Sequence, residues 1–177
     1  MVKVCHLTSV HPINDVRIFH KECTSLANNG YEVTLIACGE SEYEEIKNGI
    51  KCISLDVSVK NRLQRFLKRP KAIYKKALEI DADIYHFHDP ELLPVGKKLK
   101  QIGKKVIYDS HEDLPRQIFQ KDWIPYFLRR GISIIMESVE NHYVKQMDAV
   151  VTVTEHIADR FKKVAKRVIV CANYASM

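Results

Sequence analysis

The sequence has no Cys-x-x-Cys pair: its five cysteines, Cys5, Cys23, Cys38, Cys52 and Cys171, are scattered and odd in number. That argues against a zinc ribbon, a dithiol redox centre or a disulfide framework, and fits a reduced compartment. No stretch approaches the roughly 18 continuous apolar residues of a membrane span. Met1 to Thr8 lacks the long apolar core of a signal peptide and reads as a first strand, so the expectation is a cytoplasmic protein. Six Gly and six Pro are too few for a collagen-like or low-complexity chain, and 46% hydrophobic residues are too many for a disordered one.

Other absences remove enzyme classes. Ser9-Val10-His11-Pro12-Ile13-Asn14-Asp15, which follows the first strand, holds no glycine, so the dinucleotide fingerprint is missing. There is no Gly-Lys-Ser or Gly-Lys-Thr phosphate loop and no Gly-x-Ser-x-Gly nucleophile turn.

What is present is a chain of 177 residues and 20.5 kDa. Folding at that size buries about 70% of the extended chain's surface, enough for one core, so residues 1–177 are expected to form one domain. Apolar runs of strand length alternate with segments of helical period. Strands are predicted at 2–7, 31–37, 50–55, 83–88, 105–108, 149–153 and 167–171. Between them, 17–29 reads as a helix with Phe19, Cys23, Leu26 and Ala27 on one face and Gly30 as its stop. A basic segment is helical as far as Glu79, with an interruption at Pro70. A helix begins at Asp89-Pro90-Glu91, with Asp89 as its cap, and Gly103 closes it. Helices at 123–146 and 155–163 complete the pattern. Strands joined by helical crossovers make a parallel sheet covered on both faces, so the predicted fold class is α/β, a Rossmann-like three-layer sandwich.

In such a sheet ligands sit beyond the carboxyl ends of the strands. Three of those loops are rich in histidine and acid: His11, Asn14, Asp15 and Arg17 after the first strand; His88, Asp89 and Glu91 after the fourth; Asp109, His111, Glu112, Asp113 and Arg116 after the fifth. Together they predict a rim that holds a polar ligand. His86 and His88, with Asp89 and His111, could imitate a metal site, but no third ligand is set by spacing, so no metal is assigned.

Net charge is +6, and all of the excess lies in one segment. Lys60 to Lys76 holds eight basic residues and no acid, leaving 20 basic against 22 acidic residues elsewhere. With Leu63, Phe66, Leu67 and Ile73 as apolar partners, this segment suits an anionic membrane surface met by Arg62, Arg65, Lys68, Arg69 and Lys71. A solvated helix face is the plain alternative; nucleic acid is the weaker competitor and is not adopted as a partner. Trp123 to Arg130 is a second apolar patch, equally explained by core packing.

His11-Pro12-Ile13-Asn14-Asp15-Val16-Arg17-Ile18-Phe19-His20-Lys21-Glu22, with Ser25 to Val33, resembles the opening of family-4 (group 1) glycosyltransferases of the GT-B fold. The likeness continues in Ala82 to Asp89, Tyr108-Asp109-Ser110-His111-Glu112, Asp148 to Thr154, and Val168-Ile169-Val170 with Asn173. It spans essentially the whole chain. Such enzymes pair two Rossmann-like domains, the first holding the acceptor and the second the nucleotide-sugar. The resemblance implies that this chain is the first, with the nucleotide-sugar domain absent after Met177. It also implies retention of configuration, a hexosyltransferase-type activity in polysaccharide biosynthesis, and no cofactor beyond the nucleotide-sugar donor. It places His111 against the transferring sugar as the catalytic group, and His11, Asn14, Asp15, Arg17, His88, Asp89 and Glu112 toward the acceptor, a glycan or lipid-linked molecule. Two departures stand out: the first loop lacks the glycine pair frequent in related enzymes, and no Glu-x7-Glu motif with a role is present, because Glu32 and Glu40 have that spacing by chance. The competing readings are a stand-alone binding module docked on a membrane or protein, and a GT-B sugar-nucleotide epimerase.

Overall fold

The computed structural model describes residues 1–172 and, within them, every side chain except that of Arg62. Asn173, and the side chain of Arg62 among the membrane-surface candidates, lie outside the described residues. Eight strands form one sheet: β1 (Lys3–Thr8), β2 (Glu32–Gly39), β3 (Tyr43–Lys47), β4 (Ile50–Asp56), β5 (Ile84–Phe87), β6 (Lys105–Ser110), β7 (Ala149–Thr152) and β8 (Val168–Val170). Their order is β3-β4-β2-β1-β5-β6-β7-β8, and every pairing is parallel except β3 with β4. The chain first winds outward from β1 through β2 and β4, then restarts on the other side of β1 at β5. The carboxyl ends of β1 and β5 therefore flank a topological switch point, where an open α/β sheet leaves a crevice.

The helices are α1 (Val16–Cys23 wound as a π-helix, continued by an α-helical turn Thr24–Asn28), α2 (Arg62–Ile80), α3 (Leu93–Gln101), α4 (Leu114–Gln117), α5 (Tyr126–Val144) and α6 (Glu155–Phe161). One face of the sheet packs under α1, where Ile18, Phe19 and Cys23 meet Val33, Leu35, Ile50 and Cys52. The opposite face carries the larger cluster, in which Cys5, Leu7, Ile36, Tyr85, Phe87 and Tyr108 meet Ile73 and Ala77 of α2 and Val95 and Leu99 of α3. Alternation along the strands sorts the side chains: Cys5 and Leu7 go to the large cluster, and His6 goes to the α1 face beside Leu35 and His86, its partners in register. Gly96 lets α3 sit close on β5, since a Cβ there would come within 2.6 Å of the Phe87 ring.

The structure departs from the sequence reading in four places. Pro70 does not interrupt α2, which runs unbroken from Asn61, whose Oδ1 caps it by accepting from Gln64 N at 2.9 Å. A single proline removes one ladder bond, and its buried ring is held on the inward face of a helix intact on both sides. The strand β3 was not predicted: all five of its residues are exposed, so Tyr-Glu-Glu-Ile-Lys shows no buried face. β6 continues through Asp109 and Ser110, two residues past the predicted end at 108, and α4 occupies part of the loop that follows.

Candidate active site

A cavity of about 310 Å³ opens at the switch point, lined by His11, His88, Asp89, His111 and Glu112 together with Arg65, Phe66 and Glu91. Five of the eight residues assigned to catalysis or acceptor binding thus converge, brought from three loops that are far apart in sequence. His11 Nε2 lies 3.5 Å from Asp89 Oδ1, and the His11 and His111 ring centres are 5.7 Å apart. Glu112 stands at the outer edge, its carboxylate accepting from Gln117 Nε2 at 2.8 Å.

Asp89 was expected to cap the following helix, and it does not. It makes no side-chain hydrogen bond to that helix. Its Oδ2 instead accepts from Thr8 Oγ1 at 2.8 Å, Ser9 N at 2.6 Å, Ser9 Oγ at 3.2 Å and Val10 N at 3.3 Å. The end of β1 turns its donors toward β5, and a buried carboxylate with several donors in reach is satisfied there. Glu91 reinforces the clasp by accepting from Ser9 Oγ at 2.7 Å, and Arg69 Nη1 donates to the Ser9 carbonyl at 2.7 Å. This loop is held without glycine.

Asn14, Asp15 and Arg17 are not part of the cavity lining. Asp15 caps α1, its Oδ1 accepting from Arg17 N and Ile18 N, both at 2.9 Å. Asn14 faces a separate depression beside Gly39, Glu40 and Arg69. Arg17 turns inward: Nη2 donates to both oxygens of Asp109 at 3.2 and 3.0 Å, Nη1 donates to the Cys171 carbonyl at 3.0 Å, and Nε lies 3.0 Å from Glu22 Oε1. π-helical winding brings residues five apart onto one side, which is why Arg17 and Glu22 meet. Among the predicted membrane-surface residues, Lys68 and Lys71 are exposed, whereas Arg65 pairs with Glu91 at 3.3 Å and Arg69 holds the first loop.

Behind the rim lies a buried imidazole layer that sequence reasoning only partly found. His6 on β1, with His86 and His88 at β5, projects from one face of the sheet toward Glu22, and Asp109 stands beside them on β6. His6 and Glu22 were missed because a histidine inside a strand and a glutamate on a helix carry no local signal; only the β1–β5 register, His6 opposite His86, joins them. Burial pushes His6, His88 and His111 below the ordinary imidazole range. Burial alone would raise Asp109, but His86, with Nε2 3.6 Å from Asp109 Oδ2, and the neighbouring His88 and His111 hold its carboxyl well below the usual range. Glu22 takes the opposite course: burial, then the neighbouring Asp109 charge, push it up to about 9. Asp109 is the ionised partner of Arg17, and Glu22 keeps its proton.

His6, Glu22, His86 and His88, and separately His88, Asp109 and His111, offer metal-ligand atoms within 4.8 Å of one another. Ring orientation disfavours a shared ion. His6 Nδ1 and His88 Nε2 are 3.0 Å apart, the ring centres 5.2 Å apart and the planes tilted by only 17°. A centre separation so much longer than the contact means that the rings lie end to end with their nitrogens aimed at each other. That is the geometry of N–H···N, whereas two ligands of one ion must both aim at a third point.

An open, mostly parallel sheet with an imidazole and carboxylate cavity at its switch point defines a Rossmann-like domain. The sequence model of Glycosyltransferase Family 4 matches residues 16–173, and the chain belongs to that family. No curated protein matches the sequence. Among solved structures, the chain is similar to sucrose-phosphate synthase from Thermosynechococcus elongatus (TM-score 0.68, 14% identity, 98% of this chain and 49% of that one). It is also similar to the catalytic domain of starch synthase IV from Arabidopsis thaliana bound to ADP and acarbose (0.63, 10%, 97% and 51%). A third is an alpha,alpha-trehalose-phosphate synthase (UDP-forming) from Burkholderia vietnamiensis (0.58, 9%, 92% and 42%). At these identities the likeness is one of fold, that of GT-B glycosyltransferases, and the chain spans about half the length of each. Among the described residues no helix is long and apolar enough to cross a membrane.

Proposed function

We propose that this chain is the acceptor-side domain of a retaining glycosyltransferase that moves a sugar from a nucleotide-sugar to a lipid-linked or glycan acceptor. On this reading the nucleotide-sugar is held by a second domain, and the chain alone does not turn over. The observation that carries it is the convergence of His11, Asp89 and His111 on one cavity at the switch point. In the reaction the anomeric C–O bond to the phosphate breaks, the nucleoside diphosphate leaves, and the acceptor oxygen bonds to the sugar while its proton is released. Negative charge grows on the leaving phosphate, so hydrogen-bond donors directed at it accelerate the step more than tighter ground-state binding would. His111 is the rim group assigned to that work, and the clasped first loop fixes the acceptor side. No metal or further cofactor is assigned.

A lipid-linked acceptor is favoured by an apolar groove beside the cavity. It holds about 420 Å³, is lined by Leu93, Pro94, Ile135, Met136 and Val139, and shares Phe66, Pro90, Glu91 and Leu114 with the polar cavity. An amphiphile with its hydroxyl at the rim would lay its hydrocarbon there. The exposed Leu63, Phe66 and Leu67 on the basic helix α2 support peripheral attachment to an anionic membrane.

The test joins this domain to a matching nucleotide-sugar domain and follows nucleotide-sugar consumption in the presence of a membrane lipid extract. His111→Ala is expected to lower the rate tenfold or more with little change in melting temperature. An unchanged rate would remove His111 from the mechanism, and no consumption by the parent protein would remove the proposed activity.

A further inference from the structure

Three of the eight histidines form a row from the sheet interior to the cavity. His6 Nδ1 is 3.0 Å from His88 Nε2, and His88 Nδ1 is 3.2 Å from His111 Nε2. The second link repeats the end-to-end geometry of the first, with ring centres 5.4 Å apart and planes 27° apart. Burial keeps all three rings neutral.

A neutral imidazole has one N–H and one bare nitrogen. Each link needs one of each, so the row has only two orientations: all three protons on Nδ1, or all three on Nε2. Two observations choose between them. Asp109 Oδ2 lies 3.6 Å from His88 Nδ1, and its Oδ1 lies 4.0 Å from His111 Nδ1, so the carboxylate's negative charge favours a proton on both of those nitrogens. At the inner end, His6 Nε2 is buried and has no hydrogen-bond partner among the described residues. As a bare nitrogen it loses little, whereas as an N–H it would be an orphaned buried donor, the rarer and costlier case.

We propose that His6 and His88 are positioning residues that fix His111 as the Nδ1–H tautomer. His111 then meets its ligand as a hydrogen-bond donor through Nδ1, and its Nε2 lone pair, already engaged by His88, does not serve as a base. Isolated histidine prefers the other tautomer, so the row imposes a form that the side chain would not choose alone. That the ligand is the sugar or its phosphate rests on the function proposed above; the tautomer does not.

The test is two-bond ¹H–¹⁵N correlation of the histidine side chains in the ¹⁵N-labelled chain near pH 7.5. The expected spectrum shows His111 with a protonated Nδ1 and a bare Nε2. His88→Leu, which deletes the donor to His111 Nε2, should shift His111 to a majority of the Nε2–H form. A wild-type His111 in the Nε2–H form would overturn the proposal, as would a His111 that stays Nδ1–H in His88→Leu. The wild-type spectrum decides even if the variant does not fold. Because no nucleotide-sugar enters the measurement, a failed activity assay and a failed tautomer are told apart.

Discussion

Ser9 and Asp89 stand eighty residues apart in sequence and 2.6 Å apart in space, the backbone N–H of one donating to the buried carboxylate of the other. This contact, with those from Thr8 and Val10 to the same oxygen, makes the ends of β1 and β5 a single unit. Asp89→Ala leaves several buried donors unsatisfied and should lower stability by about 3 kcal/mol in urea unfolding. Asp89→Asn, which keeps an acceptor oxygen, should fall between. If Asp89→Ala unfolds at the wild-type midpoint, the clasp does not hold the loop.

Arg17 joins α1 to β6 and to the backbone just beyond β8 through Asp109 and the Cys171 carbonyl. Arg17→Met strands the Asp109 charge in the interior and should cost about 4 kcal/mol. Arg17→Lys should recover little, because one compact ammonium does not reproduce the planar guanidinium fork that spans Asp109, the Cys171 carbonyl and Glu22. Adding Asp109→Leu to Arg17→Met should return more than half of the loss, since no buried charge is then left unpaired. A double-mutant cycle with no coupling would show that the pair acts independently.

The buried titrating groups predict a stability maximum near neutrality. His6, His88 and His111 are held below their ordinary range, so the unfolded chain takes up protons first as pH falls below about 6.5, and stability drops on the acid side. Glu22 acts with the opposite sign. Its folded value of about 9 lies above its ordinary 4.5, so between these limits the folded state holds the extra proton and stability falls as pH rises. From pH 7 to 9 the slope from one proton is at most about 1.4 kcal/mol per pH unit. Burial contributes most to this shift, with Asp109 adding to it and Arg17 opposing it. Glu22→Gln, a neutral mimic of the protonated acid, should flatten the urea midpoint over that range. A variant that keeps the wild-type slope would assign it to another group.

The buried parallel strands were legible because strands covered on both faces appear as continuous apolar runs, as in Leu35 to Cys38. β3 was not, although Asn48-Gly49, both at positive φ in the turn between Lys47 and Ile50, is a hairpin signal that could have revealed it. The rim was legible for a related reason: a parallel sheet gathers its strand-end loops on one edge, so His11, Asp89 and His111 could be grouped before their contacts were known. Roles within the group were not. Asp89 reads locally as a helix cap yet clasps a distant loop, while Asp15, expected toward the acceptor, caps α1. The choice depends on which donors lie nearby in three dimensions, and that is set by strand pairing.

The proposed membrane attachment through α2 can be separated from the helix's structural duties, because its basic residues divide into two sets. Arg65 and Arg69 are engaged with Glu91 and the Ser9 carbonyl, so neutralising them should loosen the first loop and lower stability. Lys68 and Lys71 are exposed near Leu63 and Leu67, which are 69% and 65% accessible. Each charge contributes roughly 1 kcal/mol at an anionic surface, so Lys68→Gln with Lys71→Gln should weaken vesicle partitioning roughly 30-fold without moving the melting temperature. Leu67→Asp should weaken it further by removing a residue that dips into the acyl boundary. Co-sedimentation with phosphatidylserine-containing vesicles should show both effects, a decline with added salt, and little binding to vesicles of phosphatidylcholine alone. Partitioning that survives all three substitutions would leave the exposed Trp123, Tyr126 and Phe127 before and within α5 as the membrane contact, and α2 as a solvated helix whose charge serves only the cleft.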